Sequence, residues 1–182
     1  MGNLDVLTDK GGDFVDINEI REKWSLKQKN KQASVDMWNS MAESFGDFIV
    51  PNFKDNTFLK LIERNNMLNH EGLVLDVGCG TGQYALAIAE RCQHVTGVDL
   101  SPEMINIAKQ KALDYKIQNT DFYCRDWHDL DIEKSGYLHK FDLVFAHMTP
   151  AIQSGDTFEK LSAASKGWCV LAKPIKRTDP VS

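Results

Sequence analysis

Val74-Leu75-Asp76-Val77-Gly78-Cys79-Gly80-Thr81-Gly82 is the stretch on which the reading of this chain of 182 residues turns. Residues 73–77 form an apolar run interrupted only by Asp76, the pattern of a strand covered on both faces of a sheet. Three glycines then alternate with other residues at positions 78, 80 and 82. Glycine admits positive φ and lets a ligand lie directly against the main chain. In an open parallel sheet, ligands bind beyond the carboxyl ends of the strands, which is where this loop falls.

Working outward, strand and helix alternate from residue 73 onward. Residues 83–92 read as a short Ala/Leu/Ile helix and 94–100 as a second strand. Ser101-Pro102-Glu103 is a helix start: Ser caps the first turn, Pro fits it, and Glu favours the positive end of the helix dipole. That helix runs to about residue 113. Residues 121–125 and 141–146 read as strands, 158–166 as a helix and 167–172 as a fifth strand. The alternation predicts an α/β fold with a doubly wound, mostly parallel sheet.

Upstream, residues 1–70 are polar and lack that rhythm. Residues 4–17 read as two extended pieces around Lys10-Gly11-Gly12, a hairpin. Residues 18–31 carry Arg21, Lys23, Lys27, Lys29 and Lys31 against Glu19 and Glu22, which reads as a solvated helix face ahead of a patch for an anionic partner. Residues 34–48 set Val35, Trp38, Met41, Ala42 and Phe45 at helical spacing, with Trp38 and Phe45 read as helix–core contacts ahead of a role in closing a ligand pocket. Another helix is expected over 57–68, with Phe58, Leu61, Ile62 and Leu68 apolar. The expected organisation is an accessory segment over 1–70 and a ligand-binding core over 71–182.

Composition narrows the classes. Twenty-one basic against twenty-six acidic residues give a net charge of −5, which argues against a protein held on nucleic acid or an anionic membrane by bulk electrostatics. Cys79, Cys92, Cys124 and Cys169 form no C-x-x-C pair and match no zinc spacing, so no metal site is expected. Scattered thiols suit a reducing compartment. The first residues show no signal-peptide pattern, and no apolar run has the length of a membrane span. The expectation is a cytoplasmic protein with its own core.

The glycine spacing bears on the ligand. The dinucleotide fingerprint is G-x-G-x-x-G, and Gln83 stands where its third glycine is needed. The phosphate-loop pattern fails too, since no Gly-Lys-Ser/Thr follows. A carboxylate at Asp76 would repel phosphates but help hold a cation. A ligand with an adenosine end and a positively charged amino-acid end fits better, and S-adenosylmethionine is such a ligand.

Here the chain resembles the class I S-adenosylmethionine-dependent methyltransferases. The resemblance rests on VLDVGCGTG (74–82), VTGVDLSPEMINIAK (95–109), DFYCRDWHDL (121–130) and FDLVFAHM (141–148), and covers about residues 73–172. It implies a Rossmann-like core, S-adenosyl-L-methionine as cofactor and S-adenosyl-L-homocysteine as product. It also implies roles. Gly78, Cys79, Gly80 and Gly82 would floor the methionine moiety and ribose. Asp76 would hold the loop and face the amino group. Asp99 would accept both ribose hydroxyls, a task suited to a fixed anion at a strand end. Leu100 and Met104 would flank the adenine, Asp126 would accept from its amino group, and Trp127 would pack on the ring. The residues alone also allow Asp126 as a helix cap, Trp127 and Met104 as core, and His147 as a satisfied loop histidine. His147 and Met148 fall where the family places the reacting methyl group and the acceptor, which makes His147 the candidate general base.

The implied reaction is an in-line displacement in which the cofactor brings the reactive group. The protein mainly supplies proximity and alignment, worth ~7–11 kcal/mol in favourable model systems. A small-molecule acceptor is expected; the acidic charge and the segment Ala146-His147-Met148-Thr149-Pro150, unlike Asn-Pro-Pro-Tyr, argue against nucleic acid. The competing readings are a non-catalytic cofactor- or partner-binding module and a nicotinamide-dependent oxidoreductase, the latter disfavoured by the glycine spacing. The family's usual core has a C-terminal antiparallel strand pair, yet only residues 173–182 follow Ala172, and Ser165-Lys166-Gly167 stands where Pro-Gly is common. The expectation is a C-terminally incomplete, truncated core with an open strand edge, a liability for association.

Overall fold

The computed structural model describes residues 30–173, so the hairpin expected over 4–17 and the basic stretch up to Lys29 lie outside the described residues. Two helices come first, α1 (Lys31–Gly46) and α2 (Thr57–Arg64). The alternating part follows as β1 (Leu73–Val77), α3 (Gln83–Ala89), β2 (His94–Asp99), α4 (Pro102–Asp114), β3 (Thr120–Cys124), β4 (Phe141–His147), α5 (Gly155–Ala164) and β5 (Ser165–Ala172).

The five strands form one sheet in the order β3-β2-β1-β4-β5, and every pairing is parallel. Because side chains alternate along a strand, each strand feeds two cores. Val74, Val95, Leu143 and Phe145 point to one face, where they meet Leu59 and Ile62 of α2, Leu86 and Ile88 of α3, and Ala108 of α4. Leu75, Val77, Val98, Val144 and Ala146 point to the other, against Leu161 of α5 and Trp127 and Ile132 of the segment after β3. Helices therefore cover both faces of the sheet, as a Rossmann-like doubly wound fold requires. After β3 the chain crosses back past β1 to lay down β4, so the order reverses between β1 and β4. A crevice for a ligand opens at such a reversal.

Several boundaries differ from expectation for local reasons. α5 starts at Gly155 because Ser154 and Thr157 form a reciprocal capping box. It stops at Ala164 because Ser165 already pairs with Phe141 of β4. α2 ends at Arg64, well before Leu68, where Asn66 takes a left-handed φ of 50° and breaks the run. Its buried positions are Phe58, Leu59 and Ile62, while Leu61 faces outward. Ser101 caps α4 as expected, its hydroxyl accepting from the Met104 N–H at 3.1 Å. Among the described residues β5 pairs with β4 alone and carries an exposed Trp168. No helix among them is long and apolar enough to cross a membrane.

Candidate functional site

At the tip of β1 the chain turns by hydrogen-bonding to its neighbour strand. The N–H groups of Gly78 and Cys79 both donate to the Val98 carbonyl, at 2.8 and 3.1 Å. Gly78, Gly80 and Gly82 take φ of 71°, 53° and 83°, but each serves a different purpose. A Cβ on Gly78 would lie 2.0 Å from Thr149 Oγ1, so this glycine lets the loop after β4 close onto the loop after β1. A Cβ on Gly82 would meet Phe122 and Ala108 at 3.0 and 3.1 Å, so that glycine lets β3 and α4 pack against the start of α3. At Gly80 the nearest atom is Met104 Sδ at 4.0 Å, and the space above the backbone is open.

Asp99, at the end of β2, ties the two strand tips together. Its Oδ2 accepts from the Gly80 N–H and its Oδ1 from the Ser101 N–H, each at 2.9 Å. Burial pushes its carboxyl above the usual carboxylate value, and N–H bonds from Ser101, Gly80 and Leu100 oppose that shift. Asp76 lies deeper, 3% exposed, beneath the loop. Burial first and the nearby Asp99 charge second raise it well above the ordinary range, while a backbone N–H from Ala85 pulls the other way. The Cys79 thiol is raised too, by burial first and then by the Asp76 and Asp99 charges.

Above this floor opens a cleft of about 950 Å³. Of the residues singled out in the sequence, Gly78, Cys79, Gly80, Asp99, Leu100, Met104, Asp126, Trp127 and His147 line it; Asp76 and Gly82 do not. Trp127 is only 2% exposed, and its indole N–H donates to the Thr157 carbonyl at 3.1 Å, so most of the ring belongs to the core. Asp126 is doubly engaged. Its Oδ1 accepts from the His128 N–H at 3.0 Å, and its Oδ2 lies 2.9 Å from Lys31 Nζ. Lys31 also reaches Asp129 at 2.5 Å, and the pair of carboxylates holds its ammonium protonated above its ordinary range.

His147 ends β4 within a cluster of rings, 4.2 Å from Tyr84 and 4.5 Å from Phe58 between centroids. Burial lowers its pKa, so the imidazole is neutral at neutral pH. Met148 follows at φ 52°, its side chain more than half exposed at the mouth.

In the roof the structure favours the second reading of Trp38 and Phe45 over the first. α1 buries only Ala42 and Gly46, and it leaves Met37, Met41 and Phe45 exposed. Trp38 and Phe45, expected in the core, line the cleft instead. α1 is fastened by polar contacts. Thr81 Oγ1 donates to the Phe45 carbonyl at 2.9 Å, and Asn39 Oδ1 accepts from the Ser101 hydroxyl at 2.6 Å. Helical spacing marks a face as apolar but does not say whether a core or a ligand covers it. Tyr84 was overlooked; its place in the first turn of α3, directly after the glycine loop, was the available signal.

Comparison with known proteins gives a consistent result. A family model described as a methyltransferase domain matches residues 74–166. The chain is 36% identical over 132 residues to the 23S rRNA (uracil(1939)-C(5))-methyltransferase of Shewanella amazonensis, covering 72% of this chain and 28% of that protein. It is 31% identical over 121 residues to the malonyl-[acyl-carrier protein] O-methyltransferase of Acetivibrio thermocellus, covering 64% of this chain and 39% of that one. The chain thus spans well under half the length of these curated relatives. Its fold is that of a SAM-dependent methyltransferase from Aquifex aeolicus, with a TM-score of 0.62 at 17% identity, over 79% of this chain and 77% of that one.

Proposed function

Because the chain belongs to the methyltransferase-domain family, within the class I S-adenosylmethionine-dependent methyltransferases, we propose that it transfers a methyl group from S-adenosyl-L-methionine to a small-molecule acceptor. In this reading, residues 71–182 are the catalytic core and residues 1–70 an accessory cap to which α1 and α2 belong. The observation that carries it is the bond from the Gly80 N–H to Asp99, which fixes a bare stretch of backbone beside a partly buried carboxylate at the reversal of the sheet.

The residues present suit the cofactor. Each Asp99 oxygen already accepts one backbone N–H and keeps lone-pair capacity for a hydroxyl donor. Gly80, with open space where a Cβ would stand, admits a ligand against the main chain. Asp76 is buried, and burial and the Asp99 charge favour its protonated form; a cationic amino group or sulfonium nearby would favour its carboxylate and be favoured by it. When bound, S-adenosyl-L-methionine supplies an electrophilic methyl group and a neutral thioether leaving group. The protein contributes the rest. Asp99 binds and orients the ribose, and Leu100 and Met104 flank the adenine. The Asp126 carboxylate, set by Lys31 and His128, receives the adenine amino group, with Trp127 beneath the ring. His147 holds an unprotonated nitrogen on the acceptor side, the state a general base requires. α1 excludes water from above.

Thermal denaturation with S-adenosyl-L-homocysteine tests this. At about 100 times its Kd, the product should stabilise the protein by about 2.7 kcal/mol. For a chain of this size that is a rise in Tm of roughly 5–11 °C. An unchanged Tm up to millimolar product would overturn the proposal.

A further inference from the structure

The cleft is electrically lopsided, and the sheet order explains how. Its charged lining residues are Lys31, Asp99, Arg125, Asp126 and Asp129. Asp99 ends β2, Arg125, Asp126 and Asp129 follow β3, and Lys31 is bonded to two of them. All five therefore gather on the β2–β3 side of β1. Across β1 the wall is made by Tyr84, His147, Met148 and Gln153, without a formal charge, beneath the roof residues Trp38 and Phe45. Lys173 donates its ammonium to the Thr149 and Ile152 carbonyls and does not line the cleft.

Two further observations bear on this neutral half. The His147 ring is held on two sides by Tyr84 and Phe58, which themselves meet edge to face at 5.2 Å. The Tyr84 hydroxyl is tied by Asn56 Nδ2 at 3.3 Å, so the stack is anchored from α2. Among the described residues neither ring nitrogen of His147 has a hydrogen-bond partner. A partly buried imidazole with a fixed ring and an idle acceptor nitrogen is a waiting hydrogen-bond site. The cleft volume of about 950 Å³ lies near the top of the ~300–1,000 Å³ usual for single ligands, which leaves room beside a cofactor.

We propose that the half of the cleft walled by Tyr84, His147 and Met148 is an acceptor subsite for an uncharged aromatic molecule bearing a hydroxyl, whose O–H donates to His147. This deepens the methyltransferase reading and rests on it. Aromatic and thioether walls favour a flat ring. An anionic acceptor would lose its hydration here with no cation among the described residues of this wall to replace it. A nucleic acid would bring phosphates to a wall whose described residues carry no charge to neutralise them. Tyr84 acts as a positioning residue, fixing the plane of His147.

The test is binding, not turnover. With the full chain saturated by S-adenosylhomocysteine, ligand-observed NMR is run with naphthol, naphthoate, naphthyl phosphate and a uridine-rich RNA oligonucleotide. Naphthol should bind at least about tenfold more tightly than either anion or the RNA, a gap of about 1.4 kcal/mol. Met148→Lys, at an exposed position, should reverse the order of naphthol and naphthoate. Tyr84→Leu should weaken naphthol several-fold while calorimetric affinity for S-adenosylhomocysteine stays unchanged. Saturation by S-adenosylhomocysteine with no naphthol binding would overturn this inference alone. Equal or tighter binding of an anion or the RNA, or a Met148→Lys protein that still prefers naphthol, would do the same. Failure of S-adenosylhomocysteine itself to bind would remove the methyltransferase reading beneath it.

Discussion

The floor and the roof of the cleft are held in opposite ways. The floor is a loop whose N–H groups are bonded to a strand carbonyl and a partly buried carboxylate, with Gly78 packed against Thr149 too closely to accept a methyl group. The roof, α1, buries two small residues and is fastened by a hydroxyl, an amide and an exposed lysine. Backbone bonds inside a core resist opening, whereas exposed side-chain contacts in high dielectric contribute little each. The cofactor contacts proposed at Gly80 and Asp99 thus belong to the more firmly held layer, and the cover to the more weakly held one.

Substitutions should separate the two. The largest effect is expected at Gly78→Ala, where the new Cβ lies 2.0 Å from Thr149 Oγ1 at a φ of 71°. Left-handed backbone and overpacking together cost about 2–5 kcal/mol, to be read as a lower denaturant midpoint. A midpoint like that of the unaltered protein would mean the two loops are not locked together.

Asp76→Asn comes next, with opposite effects on stability and binding. The raised carboxyl pKa means the folded state binds its proton more readily than the unfolded chain. Stability from this group is therefore present below the ordinary carboxylate range and lost as pH rises through the raised value. Asn should stabilise the ligand-free protein at neutral pH by ~0.5–2 kcal/mol, flatten the dependence of Tm on pH above the ordinary carboxylate range, and weaken binding of the cationic cofactor. Denaturation curves across that pH range check the sign.

The smallest effect is expected in the roof. Lys31→Ala removes two ion pairs from a lysine side chain that is 57% exposed, so it should change stability by no more than ~0.2–1 kcal/mol. Any loss of cofactor affinity should be only several-fold and should shrink with added salt. A loss as large as that from a floor substitution would erase the distinction between the two layers.

Sequence pattern exposed the floor far better than the roof. Val74 to Gly82 is local: an apolar strand, an acid and a glycine turn sit within nine residues, and each constraint leaves a mark on residue type. The Ser-Pro-Glu start of α4 is likewise a contiguous signal, and the capping bond is present. The start of α5 was misjudged because its capping box, Ser154 with Thr157, precedes the apolar positions on which periodicity rests. The roof depends on contacts distant in sequence. Ser101 with Asn39 and Lys31 with Asp126 are 62 and 95 positions apart, and no local pattern encodes them. The same holds for Tyr84 beside His147, which only the β1–β4 pairing brings together.

The central claim is that the Gly80–Asp99 pair grips an adenosyl sulfonium. Isothermal calorimetry of S-adenosyl-L-methionine with the unaltered protein and with Asp99→Asn tests it directly. Losing two charge-assisted bonds of ~1.5–3 kcal/mol each should weaken binding about a hundredfold or more, while the variant keeps its fold. Equal heats and equal affinities for the two proteins would contradict the claim.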